Sequence, residues 1–220
     1  GFSSLETCRK AGEQMKEQWF SIDVETNGAV PGLYDLVSIG ACVIECDTAR
    51  GFYVVVQPHG GLVDPEAQAV HKITEDERRR DGVDPAIAIV QFTDWAVKTA
   101  GELRPVFCSW GTFDWMWMGY YLEKYGKRYT YPFGPNSIDL KSYYLGLTKG
   151  TEWRTTAKGR MPKEDLCGRH THNALDDAVE QAEMCLKWQR KYGDKCPGCG
   201  HPECPENLAS PTVEGGHVTR

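Results

Sequence analysis

The 220-residue chain predicts an α/β fold, a sheet with helices packed on its faces. Three observations carry this expectation. Three strand-like stretches come first. A mixed section follows, in which proline-initiated helical patterns bracket one short apolar strand. The clearest helical pattern of the chain closes it, with Ala174, Leu175, Ala178, Val179, Ala182 and Leu186 on helical spacing.

Gln18–Val24 alternates, placing Phe20, Ile22 and Val24 on one face and Ser21, Asp23 and Glu25 on the other. Thr26-Asn27-Gly28 and Pro31-Gly32 read as turns. Leu36–Ile44 and Gly51–Gln57 are β-branched and apolar, and the polar Glu45–Arg50 between them makes a hairpin. Asp64-Pro65 starts a short helix whose apolar residues are Ala67, Ala69 and Val70. Asp84-Pro85 opens a longer one with Ile87, Val90, Trp95 and Val97. Arg104–Ser109, with Val106, Phe107 and Cys108, reads as a buried strand. Phe113–Tyr125 is an aromatic helix stopped by Gly126, and Ala174–Tyr192 a helix stopped by Gly193. Residues 17–192 form one domain; residues 193–220 form a Cys/Pro/Gly-rich tail outside the core.

Hydrophobic residues are 40% and charged residues 25%, which excludes wholesale disorder. The longest apolar-leaning run, Leu36–Ile44, is interrupted by Ser38 and Gly40 and falls far short of the ~20 residues of a membrane helix. Gly1–Gln18 has no apolar stretch of the secretory kind. Nine scattered cysteines, an odd number, do not read as a disulfide framework, so a reducing, cytoplasmic protein is expected. The net charge of −6 gives no global reason to adhere to nucleic acid or membrane, but metal-binding carboxylates inflate the negative count.

Asp23 and Glu25 stand at i and i+2 of a strand, so both carboxylates project to one side. Like charges held together there repel unless a cation intervenes, and hard oxygen ligands suit Mg²⁺ or Mn²⁺. Asp114 follows a strand end and opens a helix, where α/β sheets present ligands. His172 precedes the last helix, and Asp177 lies in its first turn. A histidine beside a metal-bound carboxylate is a natural general base.

Ser21-Ile22-Asp23-Val24-Glu25-Thr26, Phe113-Asp114 and His172-Asn173-Ala174-Leu175-Asp176-Asp177-Ala178 resemble the three motifs of the DEDDh (DnaQ-like, RNase T-like) 3′-5′ exonucleases. The resemblance spans roughly Gln18 to Lys191. One departure is Ser109-Trp110-Gly111-Thr112, where the family commonly carries His-Asn-Ala before Phe-Asp. A second is the extra His170, whose spacing to Asp176 or Asp177 does not suit the family base. The resemblance implies an RNase H-like fold, a mixed five-stranded sheet flanked by helices.

It also implies a function: two Mg²⁺ or Mn²⁺ ions about 3.5–4 Å apart hydrolyse the terminal phosphodiester of single-stranded DNA or RNA. Asp23 would bridge both ions, Glu25 and Asp177 would complete the water-orienting site, and Asp114 would support the ion near the leaving oxygen. His172 would take the proton from water, releasing nucleoside 5′-monophosphates. The family further admits a homodimer. A rival reading on the same fold is a non-catalytic nucleic-acid-binding or scaffold protein.

Thr26 holds the family position near the terminal nucleotide, and a plain turn residue is the other reading. Arg154, Lys158 and Arg160, with Lys163 and Arg169, make the loop before His172 basic; either it holds substrate phosphates or it is a solvated loop. Trp110, Trp115, Trp117, Tyr120 and Tyr121 divide between stacking a base and filling the core. In the tail, Cys196 and Cys199 have zinc-knuckle spacing, with His201 and Cys204 as further candidate ligands of a structural Zn²⁺; the alternative is a free cysteine tail.

Overall fold

The computed structural model describes residues 17–45, 50–126, 131–168, 171–193 and 212–213. Strands β1 (Glu17–Thr26), β2 (Leu36–Val43) and β3 (Arg50–Val55) form the expected antiparallel meander. β4 (Arg104–Ser109) then lies parallel to β1, and β5 (Ser137–Asp139) parallel to β4. This is the mixed five-stranded sheet of the RNase H-like fold. A two-residue strand from the tail, β6 (Thr212–Val213), extends it beyond β3, so the order is β5-β4-β1-β2-β3-β6.

Among the described residues six α-helices flank the sheet: α1 (Pro65–His71), α2 (Glu75–Asp81), α3 (Pro85–Ala100), α4 (Phe113–Tyr125), α5 (Leu140–Leu147) and α6 (Ala174–Tyr192). Asp64 and Asp84 cap α1 and α3 ahead of their prolines, as the sequence indicates. β2 is buried along its whole length because both sheet faces are covered. On one face Phe20, Ile22, Ile39, Phe52, Phe92 and Trp117 make a core with α3 and α4. On the other, Cys42, Ile44, Cys108, Leu140 and Trp188 pack with α5 and α6.

Three details depart from expectation. Val70, Ile87 and Val90 are exposed; beside the expected Trp95, α3 turns Ala88, Ile89, Phe92 and Ala96 inward. Glu75–Asp81, where Arg78-Arg79-Arg80 stand among four carboxylates, is α2, and its Arg78 is fully buried. Its guanidinium donates to the carbonyls of Val56 (2.9 Å) and Leu36 (3.0 Å) and pairs with Asp35. Periodicity has no signal for an arginine that satisfies backbone carbonyls at strand ends. β5 and α5 carried no sequence signal; α5 is capped by Asp139, whose carboxylate accepts from the N–H of Lys141 and Ser142.

Among the described residues, no helix is long and apolar enough to cross a membrane. The cysteine-rich segment Cys196–Cys204 and His170 lie outside the described residues.

Candidate active site

Asp23 and Glu25 stand on the central strand β1, not on an edge, on the face covered by α6. β4 pairs with β1 only as far as Ser21↔Cys108. Where the two strands part, the Val24 N–H donates to Asp114 Oδ1 at 3.1 Å. Asp114, in the first turn of α4, is thereby tied to β1 at the residue between Asp23 and Glu25 in sequence.

α6 supplies the remaining groups. Asn173 caps it, accepting from the N–H of Leu175 and Asp176. Asp177 is fully buried and accepts from the N–H of Thr171 (2.9 Å) and His172 (3.0 Å). Asp177 thus fixes the backbone that carries the histidine. His172 has φ +59°, the left-handed region that residues other than glycine rarely adopt, and such strain concentrates at functional positions. Ligand atoms of Glu25, His172 and Asp177 lie within 4.8 Å of one another.

The helix reaches this position because Gly40 has no side chain. Gly40 is the cross-strand partner of Asp23, and a β-carbon there would lie 2.1 Å from the Ala174 carbonyl carbon. One turn beyond Asp177, the Gln181 side chain donates from Nε2 to Asp23 Oδ1 at 2.7 Å. Gln181 is 1% exposed, and its Oε1 has no hydrogen-bond partner. Neither Gly40 nor Gln181 was singled out in the sequence. Their signals, a glycine inside a strand and a polar residue on the apolar face of a helix, were both present.

The electrostatics are those of an anion cluster. Burial, then the charges of Asp114, Glu25 and Asp177, push the Asp23 carboxyl well above its usual range. Burial with Asp177 and Asp114 raises Glu25 to about 8. Burial raises Asp114 to about 7, against the lowering effect of the Val24 N–H. Four carboxylates converging with one histidine form a donor set for hard divalent cations, which relieve this repulsion.

The remaining sequence candidates separate. Thr26 is buried and its hydroxyl donates to the Gly28 carbonyl at 2.8 Å, the turn arrangement. Lys158 pairs with Glu180 at 2.5 Å and sits 5.1 Å over the Trp110 ring. Arg154 pairs with Glu152 on the surface, and Arg160 is exposed. Trp117 and Tyr121 are core, Trp115 packs on Phe107, Trp110 leans on Trp188, and Tyr120 is exposed.

Known proteins agree with this geometry. The model of the Rv2179c-like 3′-5′ exoribonuclease domain matches residues 18–189. The 3′-5′ DNA exonuclease Cap18 of Escherichia coli is 35% identical over 175 residues, covering 77% of this chain and 90% of Cap18. The nuclease domain of 3′hExo, a DEDDh family member solved bound to rAMP, superposes with a TM-score of 0.65 at 16% identity, covering 90% of this chain and 100% of that one. E. coli Exonuclease I, solved with a dT13 oligonucleotide, gives a TM-score of 0.60 at 16% identity over 80% of this chain and 41% of its own. With its carboxylates and histidine gathered from β1, α4 and α6, and with the fold of a DEDDh family member, the chain belongs to the Rv2179c-like 3′-5′ exoribonuclease domain family and is a 3′-5′ exonuclease.

Proposed function

We propose that the chain hydrolyses the 3′-terminal phosphodiester of single-stranded nucleic acid with two divalent metal ions and His172 as general base. The observation that carries this reading is the convergence of Asp23, Glu25, Asp114 and Asp177, from three separate elements, around one left-handed histidine. Cap18 is named a DNA exonuclease and the family model an exoribonuclease. The substrate class is accordingly a single strand with either sugar.

Asp23, Glu25, Asp114 and Asp177 would hold Mg²⁺ or Mn²⁺, which when bound supply a water nucleophile and neutralise charge on the scissile phosphate. Asp23 is oriented by Gln181, which occupies Oδ1 and leaves Oδ2 to bind a cation. Asp114 is oriented by the Val24 N–H and faces the same space from the α4 side. His172 is exposed at the mouth of the cluster, where its ring can accept a proton from water and return it to solvent. Hydrolysis on that side leaves the phosphate on the departing nucleotide, a nucleoside 5′-monophosphate. Thr26, whose side chain belongs to the turn, serves the site by shaping the chain after Glu25.

The base assignment is tested by substitution. His172→Ala is expected to lower kcat by about 10²–10⁴ with little change in melting temperature, while His170→Ala has a smaller effect. Interchanged effects would move the base to His170 and overturn the assignment. A zinc clip at Cys196, Cys199, His201 and Cys204, independent of the active site, predicts near-stoichiometric zinc that is lost when Cys196 and Cys199 become serine.

A further inference from the structure

Residues 140–163 hold six cations, Lys141, Lys149, Arg154, Lys158, Arg160 and Lys163, against the single carboxylate Glu152, in a chain of net charge −6. The sheet sets where this charge lies. Ser109 and Asp139 are register partners at the carboxyl ends of β4 and β5. Two residues past Ser109 is Gly111, with φ +91°; two residues past Asp139 is Lys141. The two chains run side by side there, since a β-carbon on Gly111 would lie 3.9 Å from Lys141 Cδ. Asp114 follows three residues after Gly111, so the Lys141 stem lies against the β4–α4 turn that leads into Asp114.

Lys141 Nζ lies 4.8 Å over the ring of Trp153, and Trp153 is 50% exposed. Two neighbouring residues are used internally: Trp110 packs on Trp188, and Lys158 is held by Glu180 and Trp110. Trp153 instead presents a flat aromatic surface to solvent, with an ammonium already beside it. Arg154 and Arg160 follow on the same loop. The surface pair Arg154–Glu152 is weak enough to exchange for a phosphate.

We propose that Trp153 and Lys141, with Arg154 and Arg160, form a subsite for the part of a single-stranded nucleic acid that lies upstream of its 3′-terminal nucleotide. A base stacks on Trp153, and the cations hold the neighbouring phosphates. An exonuclease that removes the 3′-terminal nucleotide leaves every other nucleotide upstream, so the strand must exit the cleft along one rim. The segment beside the β4–α4 turn joins a positive field to an open aromatic ring. The inference rests on the proposed 3′-5′ hydrolysis of single strands, which the closing experiment checks separately.

The experiment compares kcat/KM for two-, four- and eight-nucleotide single strands in the intact enzyme and in Trp153→Ala, Trp153→Leu and Lys141→Gln. Binding of a 5′-fluorescein-labelled eight-nucleotide strand is read by anisotropy with Ca²⁺ in place of Mg²⁺. In the intact enzyme kcat/KM should rise with length. Trp153→Ala should cut the eight-to-two ratio by on the order of tenfold, the scale of one lost base–aromatic stack, chiefly through KM. It should weaken anisotropy binding in parallel. Lys141→Gln should lower the same ratio and flatten the salt dependence of binding, and it serves if Trp153→Ala does not fold. Unchanged ratios and unchanged binding in all three variants would overturn the subsite and leave Lys141–Trp153 a surface pair. Failure of the intact enzyme to cleave any of the three lengths would instead count against the proposed hydrolysis.

Discussion

Gly40 and Ala174 touch backbone to backbone, and this contact sets α6 against the sheet directly opposite Asp23. Any side chain at position 40 must push the first turn of α6, and with it Asp177 and the His172 loop, away from β1. Gly40→Ala is expected to destabilise the fold by about 1–3 kcal/mol, the usual scale of overpacking, and to abolish hydrolysis even where the protein remains folded. Thermal melts together with Mn²⁺ titration by calorimetry check this; a variant with unaltered Mn²⁺ affinity would show that the contact does not position the site.

Gln181 is expected to act on Asp23 alone. Gln181→Leu removes the donor to Oδ1 and keeps the buried volume. Mn²⁺ affinity measured by electron paramagnetic resonance should fall by roughly 10–100-fold, as for other groups that orient a metal ligand. In an Asp23→Asn background the same substitution should add little.

The carboxylate cluster predicts a pH dependence of stability in the presence of EDTA. Glu25 titrates at about 8 in the folded protein against an ordinary 4.5, so the folded state keeps its proton where the unfolded chain has released it. Stability from this group is therefore present at low pH and is lost as pH rises from about 4.5 to about 8. Glu25→Gln should flatten the fall of melting temperature over that window. Mn²⁺ should raise the melting temperature more at pH 8 than at pH 5.5, since the cation replaces the missing protons.

His71 predicts the opposite slope in acid. Burial, and then the charge of Arg78, lower its pKa from 6.5 to about 4. Its Nδ1 accepts from the Ile73 N–H at 3.1 Å, which requires the neutral ring, and Nε2 donates to Asn27 Oδ1 at 3.2 Å. The folded pKa is depressed, so this stability is complete above pH 6.5 and is lost as pH falls towards 4. His71→Gln should be less stable at neutral pH yet lose less on acidification; an unchanged acid limb would show that His71 does not titrate on unfolding.

Much of the fold was legible because its strands and long helices are buried and periodic. β1, the β2–β3 hairpin, β4, α4 and α6 follow directly from alternation and from the Gly126 and Gly193 stops. β5 spans three residues, too short for a pattern, and α2 hides a buried arginine among charges. The candidate site was named in the sequence where chemistry demands a residue type, at Asp23, Glu25, Asp114, His172 and Asp177. It was not legible where tertiary contact decides the role. Gly40 matters because a helix presses on it, Gln181 because Asp23 lies within reach, and Trp153 because Lys141 reaches it from the first turn of α5.

The most direct test of the central claim follows a 5′-labelled single strand, as DNA and as RNA, incubated with the protein and Mn²⁺, with products resolved by size and by mass. The account predicts a ladder that shortens from the 3′ end with release of nucleoside 5′-monophosphates, stopped by EDTA and by Asp23→Ala or Asp177→Ala in proteins that still melt cooperatively. Internal cuts, release of 3′-monophosphates, or turnover indifferent to EDTA and to both substitutions would contradict it.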